Sequence, residues 1–211
     1  IKPDYAEAYY NMGVTLQGQG KLEEAIGSYK KAISIKSDYD EAYFNIGVAL
    51  QDKGNLEESI QAYNSTIKIN PNNTDAFYNK GNALKQLGNL EEAIKAYNNA
   101  LFINPNNAEV YCHMGIALND LGNLDEAIET YKKAISIKPD YSEAFNNMGI
   151  TLKDLGKLNE AIEAFNKAIS IKPAYGTAKH MLASLTGEKT ETAPREYVEN
   201  LFDYYAKKFE T

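Results

Sequence analysis

Gly13, Gly47, Gly81, Gly115 and Gly149 recur every 34 residues, and Gly20, Gly54, Gly88, Gly122 and Gly156 form a second series at the same interval. A fixed period over five copies means that one small unit of secondary structure is repeated along the chain and rests mainly on its neighbours. The copies are residues 6–39, 40–73, 74–107, 108–141 and 142–175. Within the first, Tyr9, Met12, Gly13 and Leu16 fall at i, i+3, i+4 and i+7, and Leu22, Ala25, Ile26, Tyr29, Ala32 and Ile33 resume that rhythm after Gly20. Each copy therefore reads as two amphipathic helices. Gly20 and its equivalents suit the left-handed residue that closes a helix. Asn55, Asn89 and Asn123 follow as N-caps, with Glu58, Glu92 and Glu126 at the capping-box place. Pro71, Pro105, Pro139 and Pro173 stop the second helix.

A pair of such helices cannot bury its own apolar faces, so successive copies must stack into an all-α solenoid. Tyr29, Tyr63, Tyr97, Tyr131 and Phe165 are placed to fill the seam, and Gly13 and Ala25, both without bulk, mark where the two helices of one copy cross most closely. Ser59 is the departure from Ala in that second series. Lys80 stands where the other copies have Met12, Ile46, Met114 and Met148; its stem is expected along the seam, with the ammonium in water.

At these residues the chain resembles the tetratricopeptide repeat family, whose pattern of aromatic, Leu, Gly, Tyr, then Ala, aromatic, Ala, Pro is carried by Tyr111, Gly115, Leu118, Ala127, Tyr131, Ala134 and Pro139. The resemblance covers residues 6–175. It implies a right-handed superhelix of helix-turn-helix pairs, and a non-enzymatic scaffold that binds an extended peptide or protein segment along the concave surface made by the first helices.

The two ends differ from the array. Ile1-Lys2-Pro3-Asp4-Tyr5 matches Ile137-Lys138-Pro139-Asp140-Tyr141, the end of a copy, so residues 1–5 read as the end of an upstream repeat. Ala178, Lys179, Met181, Leu182 and Leu185 suggest a sixth half-repeat helix over 176–185. Residues 186–194 are polar with Gly187 and Pro194 and read as a linker. In 195–211, Tyr197, Val198, Leu201, Phe202, Tyr205 and Phe209 form an apolar stripe on an amphipathic helix, which could cap its own solenoid or meet the open first helix of another copy head-to-tail. The stretch from His180 to Glu188, with Ala193-Pro194-Arg195-Glu196-Tyr197-Val198 and the run from Leu201 to Phe209, resembles the junction at which bacterial tetratricopeptide repeats precede a methyltransferase using S-adenosylmethionine. That resemblance implies an alternative role as the substrate-recruiting part of a larger enzyme.

Chemistry within the chain is sparse. Cys112 is the single cysteine, and with His113 and His180 it cannot assemble an ordinary zinc shell. Gly18-Gln19-Gly20 lies between helices without a preceding strand, and a Gly-Lys-Ser/Thr phosphate loop is absent. Cys112 and His113 are adjacent on a helix and point about 100° apart, which favours a surface pair over a catalytic one. The Glu pairs at 23–24, 57–58 and 91–92 complement helix dipoles. No cofactor and no metal is expected. A net charge of −7 disfavours nucleic acid. Apolar stretches fall short of the roughly 18 residues of a membrane span, and without a secretory leader the expected location is cytoplasmic.

The informative row lies two residues before each glycine of the first series: Asn11, Asn45, Asn79, His113 and Asn147. At about 100° per residue Asn11 points away from the stripe of Tyr9, Met12, Gly13 and Leu16, toward the groove. Asn is a mediocre helix former, so the helix does not require it. A carboxamide offers a donor and an acceptor, as each residue of an extended peptide does, so a row of them can hold a chain whatever its sequence. The row resembles the asparagine ladder in the repeats of the enzyme that attaches N-acetylglucosamine to proteins. Beside it the groove is expected to carry Tyr10, Phe44 and Tyr78, then Cys112 and Asn146, with Asn82 joining the set. Glu7, Glu41, Asp75, Glu109 and Glu143 form an acidic edge that favours a basic ligand. Chaperone-binding members of the family grip a C-terminal carboxylate with Lys, Arg and Asn. This chain has Tyr10, Asp75 and Asn79 in those places, or Phe44, Glu109 and His113 one repeat on, which argues against that ligand.

Overall fold

A computed structural model of the chain describes residues 4–187, together with Val198 and Phe202. The described residues form α1 (Asp4–Gly18), α2 (Leu22–Ile35), α3 (Asp40–Asp52), α4 (Leu56–Ile69), α5 (Thr74–Gln86), α6 (Leu90–Ile103), α7 (Ala108–Asp120), α8 (Leu124–Ile137), α9 (Ser142–Asp154), α10 (Leu158–Ile171) and α11 (Gly176–Thr186). Among them there is no strand, and no helix is long and apolar enough to cross a membrane. The fold is all-α. Two compact units divide at Asn106, so that α1 to α6 belong to the first and α7 to α11 to the second. Inside each unit the two helices of a copy form a hairpin, and the second helix of one hairpin lies against the first of the next.

The turn inside each hairpin is built by glycine. Gly54 adopts φ 81°, which lets Asn55 N–H reach back to Leu50 O at 2.9 Å and satisfies a carbonyl of the last turn of α3. The expected asparagine caps are corrected here. Asn55, Asn89 and Asn123 precede α4, α6 and α8, but none makes a side-chain cap hydrogen bond. Asn55 sits at φ −82°, ψ 70°, and Leu56 N–H closes onto Gly54 O at 3.0 Å, a tight three-residue turn that holds its side chain away from the first helical turn. Side-chain caps form at the other junction, between copies. Asn73 Oδ1 accepts from Ala76 N–H at 2.9 Å, and Asn107 Oδ1 accepts from Glu109 and Val110 N–H.

Each seam ring lies on the glycine of its own copy. A Cβ built on Gly47 would stand 2.5 Å from Tyr63 Cε1, and Gly13, Gly81 and Gly115 stand in the same relation to Tyr29, Tyr97 and Tyr131. The bare backbone is thus a hollow for the ring. Ala25 is fully buried close by, and its counterpart Ser59 is tolerated there because its hydroxyl donates to Gly47 O at 2.8 Å. The same ring faces the next copy, since Tyr29 shares one apolar cluster with Ala42 and Ile46 of α3. The phenol hydroxyls need partners inside this seam and find different ones. Tyr29 and Tyr63 donate to Gln17 Oε1 and Gln51 Oε1 at 2.8 and 2.9 Å, whereas Tyr97, in a copy with Lys85 at the Gln position, donates to Asn82 Oδ1 at 2.7 Å.

Lys80 is half-buried on α5, and burial holds its ammonium below the ordinary lysine range while the Glu92 carboxylate pulls the other way. A base with a depressed pKa in the folded chain is penalised at neutral pH, and the penalty fades as pH rises through the folded value toward the unfolded one. Lys80→Met, which restores the residue type of the other copies, is expected to stabilise the protein by about 0.5 to 1 kcal/mol in urea unfolding at pH 7. The gain should shrink in strongly alkaline buffer.

At the carboxyl end α11 packs on α10 and α9, and Gly187 closes it at φ 75°. Val198 and Phe202 are helical, with Phe202 exposed. The remaining residues of the 186–194 linker and of the apolar stripe lie outside the described residues, as do Ile1, Lys2 and Pro3 and, from Glu188 onward except Val198 and Phe202, the methyltransferase-like junction.

Candidate functional site

The first helices of the hairpins present one face in each unit. In unit 1 that face belongs to α1, α3 and α5. Tyr10, Phe44 and Tyr78 are half-buried on it, each leaning on the seam ring of its own copy: centroids are 5.8 Å apart for Tyr10 and Tyr29, 5.9 Å for Phe44 and Tyr63, and 6.2 Å for Tyr78 and Tyr97. Tyr10 also stacks on Tyr39 at 5.0 Å. Rings held from below by other rings form a rigid apolar floor.

The asparagine row is not uniform. Asn11 is exposed on α1. Asn45 is half-buried and its Nδ2 donates to the Tyr10 hydroxyl at 3.1 Å, so one end of this carboxamide is engaged within the protein. In the next copy Phe44 replaces Tyr10 and has no hydroxyl to offer. Asn79, half-buried on α5, accordingly has no hydrogen-bond partner among the described residues. Asn82 turns inward, its Oδ1 accepting from Tyr97 at 2.7 Å, so its oxygen serves the seam. Glu7, Glu41 and Asp75 are exposed one helical turn from the aromatic floor.

Unit 2 presents α7, α9 and α11, with a different chemistry. Cys112 is fully buried, which corrects the expected surface pair: a thiol at the position of the Tyr10 ring is small enough to sink between helices. Asn146, at the same position one copy on, is 3% exposed. His113 is half-buried. Asn147, also half-buried, directs its Nδ2 toward Cys112 Sγ at 3.9 Å and accepts from Asn146 Nδ2 at 3.3 Å. Asn146 Oδ1, buried, has no hydrogen-bond partner among the described residues. Glu109 and Glu143 are exposed and continue the acidic edge within this unit. Among the described residues no group of three or more His, Cys, Asp and Glu is arranged to hold a metal ion.

A set of residues passed over by sequence reasoning stands next to Asn147. Asn119, Tyr131, Asn147 and Thr151, with Ile116 and Ile150, line a cleft of about 90 Å³. Asn119 occupies the position of Gln17 and Gln51 and is one methylene shorter, and Thr151 occupies the position of Thr15 in the first copy and of Ala49, Ala83 and Ala117 in the next three. Instead of capping the seam hydroxyl, Asn119 Oδ1 accepts from Thr151 Oγ1 at 2.7 Å. The signal was present in the copies once superposed: a shortened amide at Asn119 in the fourth copy and a hydroxyl in place of the preceding alanines at Thr151 in the fifth.

The family model described as TPR repeat matches residues 18–54, 51–88, 81–119 and 117–156, and that described as Tetratricopeptide repeat matches residues 142–175. The crystal structure of MamA is similar at 27% identity, over 76% of this chain and 94% of that one, with a TM-score of 0.73. The structure of YrrB, a TPR protein with an unusual peptide-binding site, is similar at 28% identity over 82% and 89% of the two chains, with a TM-score of 0.71. MamA from Desulfovibrio magneticus RS-1, residue 41 to its end, is 23% identical over 82% and 97% with a TM-score of 0.76, a likeness of fold. No curated protein matches the chain in sequence.

Proposed function

The chain belongs to the tetratricopeptide-repeat family, and on that premise we propose that it is an interaction scaffold which holds an extended polypeptide on the first-helix face of its hairpins. The observation that carries this reading is the half-buried Asn79, a carboxamide with no hydrogen-bond partner among the described residues, set beside the ring floor of Phe44 and Tyr78. Leaving a donor and an acceptor unpaired at a half-buried site is costly unless a ligand or water takes them up. The peptide-binding site of the similar protein YrrB supports a ligand of the same kind. The exposed carboxylates of Glu7, Glu41 and Asp75 favour a segment whose apolar side chains meet the rings and whose Lys or Arg side chains meet the edge.

Display selection from a random peptide library on the whole chain tests this. Selected peptides should be enriched in Lys or Arg next to apolar residues. Asn79→Ala should weaken them about tenfold, equivalent to roughly 1.4 kcal/mol, while unfolding free energy moves by less than about 0.5 kcal/mol. Affinities that are the same for wild type and variant would remove Asn79 from the site. Failure to select any peptide would remove the reading itself.

A further inference from the structure

The cleft between α7, α8 and α9 differs from the corresponding place in the earlier copies in a way that creates a site. In copies one and two the long Gln17 and Gln51 side chains reach the seam phenol and occupy the space beside it. In the fourth copy Asn119 stops short, turns to Thr151 at 2.7 Å, and leaves about 90 Å³ walled by Ile116, Ile150 and polar atoms of Asn119, Tyr131, Asn147 and Thr151. That is the volume of about three waters, or of a side chain of three or four non-hydrogen atoms. The cleft borders Asn147, the ladder residue of α9, so a polypeptide lying on that face passes its mouth.

The chemistry of the walls selects the occupant. Among the described residues no formally charged side chain lines the cleft, so a charged group would lose its hydration without a counter-charge. Both carboxamides spend their oxygens inside the protein, Asn119 Oδ1 on Thr151 and Asn147 Oδ1 on Asn146. Asn147 Nδ2 commits one hydrogen toward Cys112 Sγ at 3.9 Å and keeps its second, and Asn119 Nδ2 has no hydrogen-bond partner among the described residues, so the cleft offers donors.

We propose that this cleft is a subsite of unit 2 for one small, uncharged side chain bearing a hydrogen-bond acceptor, the amide of Asn or the hydroxyl of Ser or Thr. The assignment rests on the scaffold reading above and adds the residue type taken at one point.

The test uses the full chain, labelled with nitrogen-15, and acetamide as the probe, with acetate and methylammonium as charged controls. Acetamide should shift the side-chain amide signals of Asn119 and Asn147 saturably, with a Kd on the order of 10 mM for so small a molecule. Asn119→Gln, which copies Gln17 and Gln51, should abolish that shift. Thr151→Ala, which copies Ala49 and Ala83, should weaken it several-fold and provides a second reading should the first variant fold poorly. Peptides selected on the wild-type chain should carry Asn, Ser or Thr at one fixed place, and selection on Asn119→Gln should lose that preference. No saturable shift, an equal response to acetate or methylammonium, or an acetamide shift undiminished in both variants overturns the subsite. Peptides that bind without the preference also overturn it and leave the scaffold reading standing, whereas the absence of any selected peptide removes that reading instead.

Discussion

Tyr63→Ala is expected to lower the unfolding free energy by about 3 to 5 kcal/mol, the usual cost of deleting a buried aromatic side chain. The ring is fully buried, sits in the hollow of Gly47, packs at a tilt against Phe44 with centroids 5.9 Å apart and donates its hydroxyl to Gln51 at 2.9 Å. Its removal leaves a cavity that the two helices of the hairpin cannot close, because Gly47 has no side chain to move into it. Tyr63→Phe keeps the ring and loses only the hydrogen bond, so it should cost about 1 kcal/mol. Urea unfolding of the two variants separates packing from polar satisfaction. A loss below about 1 kcal/mol for Tyr63→Ala would mean that the ring does not hold the hairpins together.

Alkaline pH should unfold the protein steeply. Burial pushes the Tyr29 phenol up to about 12, with Tyr10 beside it adding to the rise and Asn45 opposing it. Burial also raises Tyr63, Tyr97 and Tyr131, still further above the ordinary range. An unfolded tyrosine titrates near pH 10, so above that value the unfolded chain releases protons that the folded chain retains. Stability is therefore intact below about pH 10 and falls as pH rises through the folded values. Each such phenol contributes about 1.4 kcal/mol per pH unit, and the four together about 5 kcal/mol per unit, against a total stability of roughly 5 to 15 kcal/mol. Helix content by circular dichroism and tyrosinate absorbance should change in one transition. Tyr29→Phe and Tyr63→Phe should make that transition shallower. Seam phenols that ionise near pH 10 while the helices persist would show that they are not buried as described.

Within the five copies the division into helices was legible because glycine and proline act locally: a positive φ at Gly54 or a missing N–H at Pro71 ends a helix regardless of what packs on it. The caps were misread for a complementary reason. An Asn after Gly has the right side chain, but the tight turn that Gly54 sets up decides where that side chain goes. The aromatic seam was visible as a periodic row, whereas the partners of its hydroxyls were not. Whether Tyr97 reaches Asn82, or Asn119 turns to Thr151, depends on side-chain length and on a neighbour in another helix. The same holds on the first-helix face. Helical angle alone put Tyr10, Cys112 and Asn146 at one place, but a ring stays half-exposed there and a thiol or a short amide sinks.

The hollow beneath each ring has a further consequence for how such a chain can change. Gly13 and Tyr29, or Gly47 and Tyr63, lie in one copy, so this close steric match of ring and bare backbone is internal to the period. Inserting, deleting or exchanging a whole 34-residue period moves ring and hollow together and breaks no such match. What must be renegotiated is the looser apolar contact of the ring with the following copy, of the kind that Tyr29 makes with Ala42 and Ile46. The array is therefore extensible by whole periods at small steric cost, while a cut inside a period separates a bulky residue from the gap shaped for it.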